Sequence, residues 1–176
     1  MKSLFSRTLV VFGIFVLLVP CGVFAQDTPP TSVYVDVKPG GCENPLNIKS
    51  KGVLSVAILG TSEFDVSEID PASISLVEIA PIRSCIKDVA APPASVPTCP
   101  NPCTDTETGP DGLTDLTLKF NTQEIVKALG GWDGVSDGQC VILGLTGVLY
   151  DGTPIAGQDV VLILKKGKAP KPPRSH

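Results

Sequence analysis

The spacing of hydrophobic and polar positions predicts a series of β-strands between residues 32 and 164. Segment 32–37 has valine at every second position, the period of a strand with one buried face. Segment 53–59, VLSVAIL, is apolar on both faces and predicts a central strand. Segment 113–120 alternates, with Leu116, Leu118 and Phe120 predicted to face inward and Asp115, Thr117 and Lys119 outward. Further strands are predicted over 73–79, 139–150 and 155–164.

One short helix is predicted after the alternating segment. Asn121 is a favourable N-cap, Glu124 has capping-box spacing, and the Gly130-Gly131 pair ends the pattern. Asp151-Gly152 between the last two strands predicts a hairpin turn. These elements favour an all-β fold, an Ig-like β-sandwich of about seven strands with one short helix.

The predicted core is the set of inward-facing apolar residues of these strands. It contains Val33, Val35, Val56, Ile58, Ile74, Leu76, Leu116, Leu118, Phe120, Leu143, Leu145, Val161 and Ile163.

The two ends of the chain have compositions unlike the body. Residues 1–25 combine a basic start, an apolar run of 11 residues from Leu9 to Val19, and small residues before Gln26. That order predicts a signal peptide cleaved after Ala25, with lipidation at Cys21 as the alternative. Residues 26–31 form a linker, 32–164 the β-sandwich domain, and 165–176 a disordered basic, Pro-rich tail. We therefore expect a secreted, cell-surface or periplasmic protein without a transmembrane segment after cleavage.

Charge is distributed unevenly along the chain. Residues 26–164 contain seven basic and 18 acidic residues, a formal charge of −11. Such a body repels nucleic acid and anionic membranes, so neither is an expected partner. The tail carries five basic residues and no acidic residue, which suits contact with an anionic surface polymer or a solvated terminus.

Five cysteines remain after the predicted cleavage, namely Cys42, Cys85, Cys99, Cys103 and Cys140. The thiols of an exported protein meet an oxidising environment, so we expect two disulfides and one free thiol. The sequence does not select among the fifteen possible arrangements. Our working hypothesis pairs Cys42 with Cys140 and places the other bridge within the Cys85–Cys103 segment. Cys99 and Cys103 lack a second ligand pair, so disulfides are favoured over zinc.

Several motifs together resemble a widespread family of exported bacterial and archaeal domains. They are VDVKPG at 35–40, NPLN at 44–47, KSKGVLSVAILG at 49–60, DGLTDLTLKF at 111–120, LTG at 145–147 and DGTPIAG at 151–157. The resemblance implies a compact β domain, often appended to large surface or secreted proteins. It implies no particular activity.

The candidate metal site is an acidic loop preceding the strand at 113–120. Asp105, Glu107, Asp111 and Asp115 are its carboxylates, and Asp88 approaches from the preceding segment. Calcium takes six to eight oxygen ligands, commonly carboxylates around a glycine-containing turn. The spacing meets this requirement in part and does not match an EF-hand. The alternatives are a calcium site at these residues and a solvated acidic turn.

Catalytic machinery is hard to find in the sequence. Its single histidine is His176, which excludes an internal Ser-His-Asp or Cys-His arrangement. Dense acids at Glu63, Asp65, Glu68 and Asp70 are interpreted as solvent-facing and capping residues rather than a glycosidase pair.

The leading functional hypothesis is a non-catalytic extracellular or cell-surface module with a structural or adhesive role, stabilised by calcium. Its expected partners are a surface polysaccharide or another surface protein. The alternative is a carbohydrate-binding module that uses Trp132, Tyr34 and Tyr150 to stack on sugar rings, and a secreted hydrolase ranks below both. Sugar binding by these aromatics requires that they share one exposed face.

Overall fold

The computed structural model of the protein describes residues 29–99 and 109–166. Two β-sheets account for most of the secondary structure in these ranges. The elements are β1 (Thr31–Ser32), β2 (Tyr34–Val37), β3 (Pro45–Asn47), β4 (Val53–Leu59), β5 (Ser75–Leu76), β6 (Arg83–Lys87), β7 (Asp115–Asn121), α1 (Thr122–Ala128), α2 (Gly131–Gly134), β8 (Cys140–Val148) and β9 (Pro154–Leu164). Short 3₁₀ turns lie at Val66–Glu68 and Pro71–Ser73.

The two sheets pack face to face. The first has the order β1-β9-β8-β5, with β3 also pairing with β9, and the second has the order β2-β4-β7-β6. Strands β1 and β3 run parallel to β9, and the other pairs are antiparallel. The chain is therefore an all-β sandwich, as the alternating sequence predicts.

The core lies between the sheets and contains all thirteen residues predicted for it. Register explains the agreement, because Val56 pairs with Leu118 and Ile58 with Leu116 across β4 and β7. All four side chains therefore emerge on the same face of the sheet. Phe120 is fully buried at the end of this row, next to the helix.

The predicted strand at 73–79 is reduced to the two residues of β5. The chain before it forms the 3₁₀ turn at Pro71–Ser73, and Val77 and Glu78 after it have φ values of 43° and 68°. These left-handed conformations end the strand. The structure also adds β3 and β6, which have no alternating pattern; all five residues of β6 are exposed.

The predicted helix is confirmed as α1. The Asn121 side chain accepts hydrogen bonds from the backbone N–H groups of Gln123 and Glu124, at 2.9 and 3.4 Å. Gly130 follows with a φ of 90°, a left-handed conformation suited to glycine. The four-residue α2, which we had not predicted, carries Trp132.

The predicted Cys42–Cys140 disulfide is wrong. Cys140, the first residue of β8, is bonded to Cys99, and Cys42 is in a disulfide of its own. Cys85 is a free, exposed thiol and Cys99 is bonded outside the segment, so the predicted bridge within the Cys85–Cys103 segment is also wrong. Pairing depends on which loops the fold brings together, and cysteine spacing does not contain that information. Cys103 lies outside the described residues.

The sandwich has two ends of opposite charge. Strand β1 pairs with the start of β9 and leads into β2, which pairs with the end of β4, so these strand ends lie together. We call this the acidic end; its segments 60–70, 88–90, 109–115 and 149–153 contain eight acidic residues and no basic residue. The opposite, basic end includes segments 48–52, 122–139 and 165–166, with five lysines and three acidic residues.

No helix in the described ranges has the length and apolar character needed to cross a membrane. The predicted signal peptide lies outside those ranges, as does all of the predicted tail beyond Lys166.

Candidate functional site

At the acidic end, Asp115 lies on the outer face of β7, as predicted, but it is completely buried. Its Oδ1 accepts the N–H of Gly60 at 2.9 Å, and its Oδ2 accepts those of Val89 and Ala90 at 2.7 and 3.2 Å. The alternation along β7 is correct, but the segment after β6 folds over the outer face of the sheet there. Ala90 packs in this cover against Ala57 and Leu59. Asp115 therefore joins three backbone segments.

Asp88 and Asp111 also bind backbone groups. The two oxygens of Asp88 accept the N–H groups of Asp111 and Gly112 at 3.2 and 2.8 Å. Asp111 accepts the N–H of Leu113 at 2.9 Å. Gly112 has a φ of 93°, which lets the loop turn tightly over Asp88. The predicted metal-site residues Asp88, Asp111 and Asp115 thus lie near one another, each bonded to the loop backbone.

The acids between residues 63 and 70 are partly explained in the same way. Asp65 and Asp70 cap the two 3₁₀ turns by accepting the N–H groups of Ser67 and Ala72. The hydrogen bond from Ser67 lowers the pKa of Asp65. Glu63 and Glu68 are exposed in this segment. The arrangement agrees with the interpretation of these acids as capping and solvent-facing residues.

The described residues do not form a group of three or more His, Cys, Asp or Glu side chains that could hold a metal ion. Asp105 and Glu107 lie outside the described ranges. Calcium binding by the five predicted carboxylates remains a prediction.

The basic end contains a groove of about 430 Å³ between the loop before β4 and the two helices. Its lining combines three lysines with apolar side chains and includes no acidic residue. The lining residues are Ile48, Lys49, Lys51, Gln123, Val126, Lys127, Gly131 and Trp132. A groove of this size and composition suits a small anionic group attached to an apolar body.

Trp132 organises the positive charge of this groove. The ammonium groups of Lys49 and Lys165 lie 5.1 and 5.0 Å from the centroid of its ring. Both distances are within the range of cation–π attraction. Lys49 comes from the loop after β3 and Lys165 from the end of β9, so the ring of α2 draws together cations from two separate segments.

Gln123 fixes the wall of the groove. Its side-chain amide donates to the backbone oxygens of Ile48 and Ser50, at 3.1 and 2.6 Å. These bonds attach the lysine-bearing loop to the first turn of α1. The Asn121 cap fixes that same turn, so side-chain hydrogen bonds of Asn121 and Gln123 together hold the helix against the loop.

The three aromatic residues predicted to bind sugar do not share a face. Tyr34 pairs with Leu59 and Tyr150 lies at the β8–β9 hairpin, so both belong to the acidic end, whereas Trp132 lies at the basic end. A flat platform made from all three is therefore not formed. Sequence reasoning named Trp132 but missed Lys49 and Lys51 as its neighbours, because no local pattern connects residues more than seventy positions apart. It also missed Lys127, which lies only five positions before Trp132 but on the preceding helix.

The VDVKPG and NPLN motifs contain residues that fasten the two sheets to each other. Buried Asp159 of β9 accepts the N–H of Val37 in β2 at 2.6 Å and the side-chain amide of Asn44 at 3.1 Å. The Lys38 ammonium donates to the backbone oxygen of Pro45. Burial raises the pKa of Asp159 and lowers that of Lys38. In these motifs, Val37, Lys38 and Asn44 therefore hold the two sheets and the loop between them in place.

Comparison of the chain with protein-family models, with curated proteins and with solved structures finds no match. The class of the molecule accordingly rests on its own architecture, an all-β sandwich with a disulfide between Cys99 and Cys140.

Proposed function

We propose that this protein is a non-catalytic extracellular or cell-surface module with a structural or adhesive role. The observation that carries the proposal is the contrast between its charged groups. The aspartates of the acidic end bind their own backbone, whereas the lysines of the basic end surround an open groove. Carboxylates bound to backbone N–H groups hold loops in place and are poor candidates for proton transfer.

The disulfide supports an extracellular location. Cys99 and Cys140 are 41 residues apart in sequence, and a bridge across such a loop persists in an oxidising compartment. Export and signal-peptide cleavage belong to the proposal on this ground and on the composition of residues 1–25. Calcium at the acidic loop is also part of the proposal, supported by the shared turn in which Asp88 accepts the backbone N–H groups of Asp111 and Gly112.

Carbohydrate binding is the second candidate function. Its support is Trp132, which is half-buried at the groove of the basic end and carries apolar neighbours. This candidate differs from the sequence-based hypothesis because it needs neither Tyr34 nor Tyr150.

The test uses the oxidised chain starting at Gln26, mixed with insoluble cell-surface material and, separately, with soluble polysaccharides. We expect the protein to sediment with the insoluble material without releasing reducing sugar ends. Release in proportion to protein concentration and time would contradict the non-catalytic proposal. Failure to sediment with any surface preparation would contradict the adhesive role. A parallel thermal melt with calcium and with chelator is expected to show a higher melting temperature with calcium, and identical melts would remove calcium from the proposal.

A further inference from the structure

The positive charge at the basic end is unusual for this molecule. Residues 26–164 have a formal charge of −11, yet three lysines line one groove that contains no acidic lining residue. Asp133 and Glu124 are the acids on the neighbouring helices, and the carboxylate of Asp137 accepts the backbone N–H of Lys165. Within the described ranges, Lys49, Lys51 and Lys127 form no ion pair with these or other carboxylates.

The geometry around Trp132 brings like charges together. Since the Lys49 and Lys165 ammonium groups each lie about 5 Å from one ring centroid, they are at most about 10 Å apart. Repulsion between them is offset in part by the electrons of the ring. An anion bound among the groove lysines would offset the rest, and Trp132 already holds one of these lysines, Lys49, at the groove.

The apolar part of the groove indicates what carries the anion. Ile48, Val126 and Trp132 form an uncharged surface beside the lysines. The C–H face of a sugar ring packs on such a surface, while a carboxylate on the same ring reaches an ammonium group. A nucleic acid would bring many phosphates towards a body of strongly negative charge, which disfavours it.

We propose that this groove binds an acidic polysaccharide, with a sugar-ring carboxylate held by Lys49, Lys51 and Lys127 and the ring packed against Trp132. The proposal rests on the proposed adhesive function and names its ligand class. A polymer also suits the sequence beyond the groove, because residues 165–176 begin beside Trp132 and contain five basic residues and no acidic residue.

The test is calorimetric titration of the oxidised chain from Gln26 with polygalacturonate, alginate and hyaluronate, with methyl-esterified polygalacturonate as the uncharged ligand. The groove variant is the double substitution Lys49→Gln/Lys127→Gln. The matched control is Arg83→Gln/Lys87→Gln, which removes the same charge from the exposed strand β6. We expect binding of at least one acidic polymer, about tenfold weaker in the groove variant and nearly unchanged in the control.

A second variant separates the groove from the tail. A chain ending at Lys166 keeps the groove and removes the tail charges beyond it, so its remaining affinity should still fall on substitution of Lys49 and Lys127. Equal losses in the groove and control variants, equal binding of the methyl ester, or no binding to any acidic polymer would overturn the proposal. If the groove variant sediments with surface material as fully as the unsubstituted protein, this inference is overturned and the adhesive function stands.

Discussion

The two ends of this sandwich carry opposite charges and use them differently. At the acidic end, Asp115 is buried and accepts three backbone N–H groups, and Asp88 accepts two more. At the basic end, Lys49 and Lys165 contact the ring of Trp132, and Lys49 also lines an open groove with Lys51 and Lys127. The difference shows that a cluster of charges is informative about binding only after its hydrogen bonds are known.

The sequence directs attention to the acidic end, where calcium binding stays a prediction, and not to the basic end. The acidic loop had the stronger local pattern and was the candidate site, whereas the lysines of the basic end had no pattern at all. A carboxylate is an acceptor with two oxygens, so nearby backbone N–H groups of a turn readily engage it. An ammonium group on a long flexible side chain is held less firmly and stays available for a ligand.

The largest expected effect concerns the role of Asp115 in holding the acidic end. Asp115→Ala should lower the free energy of unfolding by about 3 kcal/mol, because it leaves three backbone N–H groups without an acceptor. Two of these groups belong to the buried residues Gly60 and Ala90. Urea denaturation followed by circular dichroism measures the change. The matched control is Asp111→Ala at an exposed position, which should cost less than about 1 kcal/mol. Equal losses would mean that Asp115 has no special structural role.

A smaller effect is expected at the basic end, where Asn121 caps α1. Asn121→Ala should lower the free energy of unfolding by about 1 kcal/mol, since the N–H groups of Gln123 and Glu124 lose their acceptor. Asn121→Asp retains an acceptor and should restore most of the loss. The same denaturation experiment measures both variants. An alanine variant as stable as the unsubstituted protein would show that the cap does not fix the wall of the groove.

The pKa values of three aspartates should differ in direction, two lowered by hydrogen bonds and one raised by burial. Hydrogen bonds from Ser67 and Thr153 lower the pKa of Asp65 and Asp151 below the ordinary value of 3.8, and burial raises that of Asp159 above it. Titration of the carboxyl carbons by nuclear magnetic resonance measures all three values.

These shifts have opposite consequences for stability. Asp65 and Asp151 contribute stability above pH 3.8 that is lost as the pH falls through their lowered pKa values. Asp159 contributes stability below pH 3.8 that is lost as the pH rises through its raised pKa. The advantage of the protein over its Asp159→Asn variant in free energy of unfolding should therefore shrink as the pH rises from 3.8 through the raised pKa of Asp159. A pKa for Asp159 below 3.8 would refute the sign of this effect.

The smallest perturbation concerns β6, which runs along the sheet edge between the two ends. Cys85 on this strand is free and exposed, so alkylation of the folded, unreduced chain from Gln26 should label one thiol without changing stability. Peptide mapping identifies the labelled residue, and Cys85→Ser should abolish the label. Labelling at Cys99 or Cys140 would contradict their disulfide.

Much of the fold could be predicted because it depends on local patterns. Alternation located the inward face of β7, the continuous apolar run located β4 as a central strand, and the Asn121 cap located α1. Strands β3 and β6 were missed because they pair at sheet edges without an alternating core face. The short β5 shows the limit of the pattern, since left-handed residues after Leu76 override it.

The candidate site was harder to predict because it depends on contacts between distant segments. Lys49 and Lys165 meet at Trp132 only because β3 pairs in parallel with the end of β9. Likewise, the burial of Asp115 requires the segment at 88–90 to fold over the outer face of β7. Neither contact leaves a trace in residue spacing.

The most direct test of the central claim, that the basic end binds the ligand, is the fluorescence of Trp132 during titration with polygalacturonate. The chain contains a single tryptophan, so the emission reports on this groove alone. We expect a saturable change in intensity or wavelength that is absent with the methyl ester and weakened in the Lys49→Gln/Lys127→Gln variant. Binding detected by calorimetry with the emission of Trp132 unchanged would place the ligand elsewhere and contradict the account.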